Sequence, residues 1–152
     1  MLAAAFASLA LLPGVLDPTV ADLKQQSPVP ILLPSSMPSE FKKVYPTAGG
    51  SEKEWAISLA SRKDCGGANA CLVADFVAER GGRPFGPRKA TLIRGIKGRF
   101  KPLSCGASCS PPSISFKTGG VTYTFQATVG TQKTERARLV RMANDAIRQG
   151  PR

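Results

Sequence analysis

Alternating hydrophobic and polar positions predict several short strands along the chain. In EWAISLAS, residues 54–61, the side chains of Trp55, Ile57 and Leu59 share one face, which is the period of a half-buried strand. The apolar stretch CLVADFVAER, residues 71–80, also predicts a strand, because glycine pairs bound it on both sides. The segments SISFK and VTYTFQATV predict a hairpin, since TGG between them supplies glycines where a turn needs positive φ.

Two further strands are predicted in KATLIRGIKGRFKPL, at about residues 90–94 and 99–103, joined near 95–98. Residues 132–149 have a different period, because their apolar side chains recur at helical spacing: Leu139, Val140, Ala143, Ala146 and Ile147. The sequence therefore predicts an α+β fold, a mainly antiparallel sheet of five or six strands with one C-terminal helix packed on it.

The ends of that helix carry their own signals. Thr131 or Thr134 can cap its start, and Gly150 followed by Pro151 ends it. Upstream of the sheet, the proline-rich segment 27–47 cannot form a helix or a central strand. We expect it to run extended, with the apolar residues 31–33 anchored against the domain.

The first residues have the pattern of a secretory signal peptide. Residues 2–12 are almost wholly Leu, Ala and Phe, and small residues follow at 19–21, although no Lys or Arg precedes the apolar run. The run is too short to span a bilayer as a helix. The predicted organisation is a signal peptide over 1–21, a flexible linker over 22–28 and one domain over 29–150, with no transmembrane segment in the mature form.

Four cysteines fit an exported domain. In an oxidising compartment, periplasmic or extracellular, an even count in a small domain predicts two disulfides among Cys65, Cys71, Cys105 and Cys109. Three pairings are open, and the small, flexible residues between the members of each close pair favour local bonds. A four-thiolate zinc site and a thiol redox centre are weaker alternatives, since the spacings fit neither a zinc knuckle nor C-x-x-C.

Histidine is absent from the chain, which excludes Ser-His-Asp and Cys-His catalysis. Ser39 and Lys42 form an S-x-x-K, and Lys117 begins a K-T-G, which leaves a Ser-Lys hydrolase as an alternative function. The context opposes it, because Ser39 lies in a proline-rich arm and K-T-G lies in a turn. A protease inhibitor that presents residues 110–112 is a weaker alternative. We predict no catalytic residue, no metal and no cofactor.

The chain is strongly basic, with 21 Lys and Arg against 10 Asp and Glu and a formal charge of +11. Removal of residues 1–21, which carry Asp17 and no base, raises this to +12. The densest basic stretch gives the anion-binding candidates: Arg80, Arg83, Arg88, Lys89, Arg94, Lys97, Arg99 and Lys101. Such a stretch favours an anionic envelope polymer, a membrane surface or a protein partner. Export disfavours nucleic acid, despite the G-x-x-G at 95–98.

Five short motifs occur in the order PILLPSSMP, CGGANAC, LIRGIKGRFKPLSCGASC, VTYTF and RMANDAI. In this order they resemble a family of small exported bacterial proteins, common in cyanobacteria, that carry two cysteine pairs. The resemblance covers about residues 28–149; this chain has Phe116 where the family has Trp, and more basic residues between the cysteine pairs. It implies an exported, disulfide-bonded domain and supplies no catalytic residue. Together with the basic stretch, it predicts an exported, non-enzymatic binding domain.

Overall fold

The structure is a computed structural model that describes residues 7–66 and 69–152. The first six residues of the predicted signal peptide therefore lie outside it. Its strands and helices, in chain order, are β1 (Ala7–Ala10), α1 (Asp17–Gln26), β2 (Ser36–Ser39), β3 (Tyr45–Gly50), β4 (Glu54–Ala60), β5 (Leu72–Arg80), β6 (Arg88–Thr91), β7 (Lys97–Lys101), β8 (Ser104–Cys105), β9 (Cys109–Ser110), β10 (Ser113–Thr118), β11 (Val121–Ala127) and α2 (Glu135–Gln149). Two short 3-10 turns lie at Asn69–Cys71 and Ile93–Gly95.

Seven strands form one antiparallel sheet in the order β3-β4-β5-β11-β10-β7-β6. The α+β class and the antiparallel pairing are confirmed, while the predicted count of five or six strands is too low. The additional strand is β3, whose sequence YPTAGG holds a proline and two glycines and so has little strand propensity. The proline is tolerated because β3 is an edge strand. On its open side no neighbouring strand needs a backbone N–H donor, which proline lacks.

The strands β6 and β7 begin two residues earlier than the sequence predicts. The cause is the turn between them, where Arg94 and Gly95 take φ values of +57° and +69°. The backbone N–H of Leu92 donates to the carbonyl of Ile96 at 2.8 Å and closes this turn. Successive strand residues point to alternate faces of the sheet, so a shift of one residue would exchange the two faces. A shift of two residues leaves each side chain on the face that the sequence predicts.

One face of the sheet, here called the inner face, carries the core. Cross-strand neighbours on it are large and fully buried, as in the row Ile57, Phe76, Phe125, Ile114 and Phe100. Helix α2 packs on this face and buries its own apolar stripe: Leu139, Met142, Ala143, Ala146 and Ile147. Each such large side chain contributes roughly 1.5–3 kcal/mol when it leaves water, so this layer dominates the stability of the fold.

The proline-rich segment anchors as predicted. Ile31, Leu32 and Leu33 are all buried. The preceding carbonyl, that of Pro30, accepts hydrogen bonds from the indole Nε1 of Trp55 at 3.2 Å and from the hydroxyl of Tyr123 at 2.9 Å. The two aromatic side chains therefore bury their polar ends against one backbone oxygen, which fixes the segment to the sheet.

The N-terminal residues join the same core. Strand β1 pairs with β2, and the apolar side chains of the following residues are buried: Leu11, Leu12, Leu16, Val20 and Leu23. Over 22–28, where the sequence predicts a flexible linker, the structure has the end of α1 and a connection held by Ser27, whose hydroxyl donates to the Glu54 carbonyl. An apolar run has the same composition in a signal peptide and in a buried segment, so hydrophobicity alone does not separate the two.

Candidate functional site

The opposite face of the sheet, here called the outer face, is polar and divided by charge. Its central cross-strand row runs Ala56, Val77, Thr124, Ser115, Arg99 and Lys89 from β4 to β6. A flanking row runs Ser58, Asp75, Gln126, Ser113 and Lys101. Carboxylates therefore lie toward β4 and β5, and cations lie toward β6 and β7.

The predicted basic residues separate into two groups. The side chains of Phe100 on β7 and Ala90 on β6 are buried on the inner face. Because side chains alternate between the two faces of a strand, four of the eight basic residues project from the outer face: Lys89, Lys97, Arg99 and Lys101. We call these four residues, with Lys117 on β10, the basic edge. Lys117 shares the outer parity of Ser115 on β10. Sequence reasoning considered Lys117 only as a catalytic candidate, although its place in the alternation of SISFK indicates this face.

The other four predicted residues have different surroundings. Arg80 ends β5 and donates to the Pro28 carbonyl at 3.4 Å, and Arg94 donates to the Ile147 carbonyl at 3.4 Å. Arg88 has the inner parity, opposite Phe100, and Arg83 lies on the loop of residues 81–87. The eight residues therefore do not form one surface.

The field of the basic edge is not offset by neighbouring strands. Residues 81–134 contain no Asp or Glu, so β6, β7, β10 and β11 carry no carboxylate. On β7, alternate residues are basic, and their side chains start about 7 Å apart at roughly 3.4 Å per residue. Such a regular set of like charges on one face attracts an extended polyanion.

The disulfides are local, as the sequence favoured. Cys65 pairs with Cys71, and Cys105 pairs with Cys109. The second bond closes the small β8–β9 hairpin, which is exposed and follows directly after β7. In the part of the chain that the structure describes, no three His, Cys, Asp or Glu residues come together to hold a metal ion.

The Ser-Lys constellation is not brought together. Ser39 is 2% exposed, and its hydroxyl donates to the Phe41 carbonyl and accepts from the Phe41 N–H, a local turn. It belongs to the β1–β2 sheet, whereas Lys117 belongs to the large sheet. A serine in this position has no open path to a substrate, so the geometry gives the hydrolase hypothesis no support.

A groove of about 750 Å³ lies between α2 and the β1–β2 strand pair. Arg138, Arg141 and Arg148 line it, and Ala7 and Ser8 form part of its wall. Because these last two residues fall within the predicted signal peptide, the groove requires a chain that keeps its N-terminus. If residues 1–21 are removed, the groove loses that part of its wall.

Within this groove, Asp145 on α2 holds the chain that leads into β2. Its Oδ2 accepts from the backbone N–H and from the hydroxyl of Ser35, at 2.6 and 2.8 Å. Burial acts to raise the pKa of Asp145, but the hydrogen bonds from Ser35 and Gln149 and the charge of Arg148 outweigh it and hold the pKa below its usual value. This carboxylate is therefore structural.

Comparisons with protein-family models, with curated proteins and with solved structures gave no match. In the described residues, no helix has both the length and the apolar character needed to cross a membrane.

Proposed function

We propose that this protein is an exported, non-catalytic domain that binds an anionic polymer of the cell envelope through the basic edge. The observation that carries the proposal is the common face of Lys89, Arg99 and Lys101 on adjacent strands that themselves carry no carboxylate. Cations placed in this way bind a polyanion mainly by releasing its counterions, so affinity falls as salt rises.

Three features support export to the periplasm or the cell exterior. These are the apolar N-terminal run, the two disulfides, and the resemblance to small exported bacterial proteins. Disulfides persist in oxidising compartments, where anionic polymers and anionic lipid headgroups also occur. A polymer is favoured over a membrane surface because the basic edge is a row along strands, and the exposed large hydrophobic side chains of the described residues are only Phe85 and Val77, too few to insert as an amphipathic helix does.

The test is retention of protein recovered from its exporting host on immobilised alginate, immobilised polyphosphate, anionic phospholipid vesicles and uncharged dextran. We expect retention on the polyanions that falls steeply between low and high salt, and none on dextran. Retention on vesicles alone would replace the polymer with a membrane surface. Absence of salt-sensitive retention on every anionic support would overturn the proposal.

A further inference from the structure

A small hollow lies on the outer face beside the basic edge, where the loop of residues 81–87 covers β5 and β11. Its volume is about 250 Å³. The exposed large hydrophobic side chains of the described residues are Phe85, 52% exposed, and Val77, 38% exposed, and both line this hollow. Exposed apolar side chains that meet at one hollow indicate a binding site more strongly than the same side chains scattered over a surface.

The remaining side chains that line the hollow are polar and include both hydrogen-bond donors and acceptors. Thr124, Gln126, Asp75 and Glu79 supply hydroxyl, amide and carboxylate groups. Thr122 also lines the hollow, and although it is 6% exposed, its hydroxyl oxygen is buried without a hydrogen-bond partner among the described residues. A buried hydroxyl left unsatisfied destabilises the folded chain, and a hydrogen bond to a bound ligand would satisfy it.

This combination selects a chemical class. An aromatic ring offers an apolar face for C–H groups, while an amide donates to and accepts from hydroxyls and a carboxylate accepts from them. Asp75 and Glu79 disfavour any anionic group between them, so the acidic group of a ligand must lie outside this wall. As hydrogen-bond acceptors these carboxylates need donors, which the hydroxyls of a sugar supply and a phosphate chain lacks. A sugar ring has an apolar face and a rim of hydroxyls, and so satisfies both kinds of wall.

We propose that the hollow binds one sugar ring of an anionic polysaccharide, whose acidic groups lie on the basic edge. The inference rests on the proposed function and narrows its ligand from any polyanion to a polysaccharide. The volume is below the roughly 300–1,000 Å³ of a site for a drug-sized ligand, which fits a single ring. Arg83 also lines the hollow and supplies a guanidinium, the group that pairs with a carboxylate such as that of a uronic acid.

The test compares alginate oligosaccharides with polyphosphate as ligands in calorimetric titrations at one ionic strength. Phe85→Ala removes the stacking face, and we expect it to weaken alginate binding about tenfold and to leave polyphosphate binding unchanged. Thr122→Val keeps the shape and removes the hydroxyl, and we expect a loss of about fivefold for alginate alone. Arg99→Gln is the matched comparison, because it weakens both ligands.

A second readout does not depend on any variant. In amide NMR spectra of the wild-type protein, alginate is expected to shift the resonances of Thr122, Thr124 and Gln126, and polyphosphate only those of the basic edge. If Phe85→Ala leaves alginate affinity unchanged, or both ligands shift the same amides, the sugar site is refuted and the polyanion function stands. If neither ligand binds the wild type, the proposed function itself fails.

Discussion

Lys89 on β6 lies directly opposite Arg99 on β7, and both side chains project from the outer face of the sheet. Like charges that face each other across an antiparallel pair destabilise a sheet by up to about 1 kcal/mol. Since β6 is the edge strand, a lysine there also discourages edge-to-edge pairing with another chain. The repulsion between the two cations is relieved when an anion lies between them.

This geometry predicts that removing the repulsion between Lys89 and Arg99 raises the stability of the fold and lowers its affinity for polyanions. Lys89→Glu converts the pair to opposite charges, and we expect the free energy of unfolding in urea to rise by about 0.5 kcal/mol. The same change is expected to weaken polyphosphate binding. The gain in stability should shrink at high salt, because the pair is exposed and screened. Lower stability at low salt, or unaltered binding, would show that the two residues do not act as paired cations.

Export predicts a definite mass for the protein recovered from its own host. We expect residues 1–21 to be absent, and reduction to add four hydrogen atoms, two for each disulfide. The uncleaved chain should unfold at a higher temperature, because it also buries Leu11, Leu12 and Leu16, each worth roughly 1.5–3 kcal/mol. An intact N-terminus on the exported protein would instead make residues 7–21 a permanent part of the domain.

The contact of Asp145 with Ser35 predicts a pH dependence at the acid end for the uncleaved chain. The pKa of Asp145 in the folded protein lies below its unfolded value of about 3.9, so the carboxylate contributes stability above that pH. This contribution is lost as the pH falls through the folded pKa. Asp145→Asn should lower the urea midpoint at pH 6, and the difference in midpoint from the wild type should shrink as the pH falls below about 4. A difference that stays constant over this range would exclude the carboxylate charge as its source.

Tyr123 predicts the corresponding loss at the alkaline end. Burial raises its pKa from 10.0 to about 12, and the charge of Arg80 opposes this in part. The raised pKa contributes stability below pH 10 that is lost as the pH rises through about 12, since the unfolded phenol ionises first. Tyr123→Phe removes the hydrogen bond to Pro30 and should cost about 1 kcal/mol at neutral pH.

The wild-type advantage over Tyr123→Phe should then narrow between pH 10 and 12. Equilibrium unfolding of both proteins across this range measures the difference directly. Parallel stability curves for the two proteins would mean that the phenol ionises equally in the folded and unfolded states.

Alternation was sufficient to predict β4, β5, β10 and β11, because in these strands one parity is apolar and enters the core. The helical spacing of apolar residues predicted α2, and the short apolar run at 31–33 predicted its anchoring. Alternation failed for β3, where Pro46, Gly49 and Gly50 give no periodic signal and the strand is held by pairing with β4 and by contact with α1. Whether such a segment forms a strand depends on its neighbours in the fold, and its local residue preferences do not indicate this.

The candidate site was predictable only in part. A run of basic residues in the sequence identified the right segment, but parity decides which of them share a face, and parity depends on the bounds of β6 and β7. Phe85 and Thr122 lie far apart in sequence and meet through the crossing of residues 81–87 over the sheet. No local sequence pattern predicts that residues 81–87 cross the sheet at this place.

The central claim is that the basic edge binds polyanions, and the salt dependence of polyphosphate affinity tests it most directly. The comparison uses the triple variant Lys89→Gln, Arg99→Gln and Lys101→Gln and a charge-matched control with exposed residues elsewhere, Lys53→Gln, Arg62→Gln and Lys133→Gln. Each removed contact lowers the slope of log affinity against log salt by about one, so we expect the first variant to lose about three and the control to keep the wild-type slope. Equal slopes for the two variants would contradict the account, because only total charge would then matter.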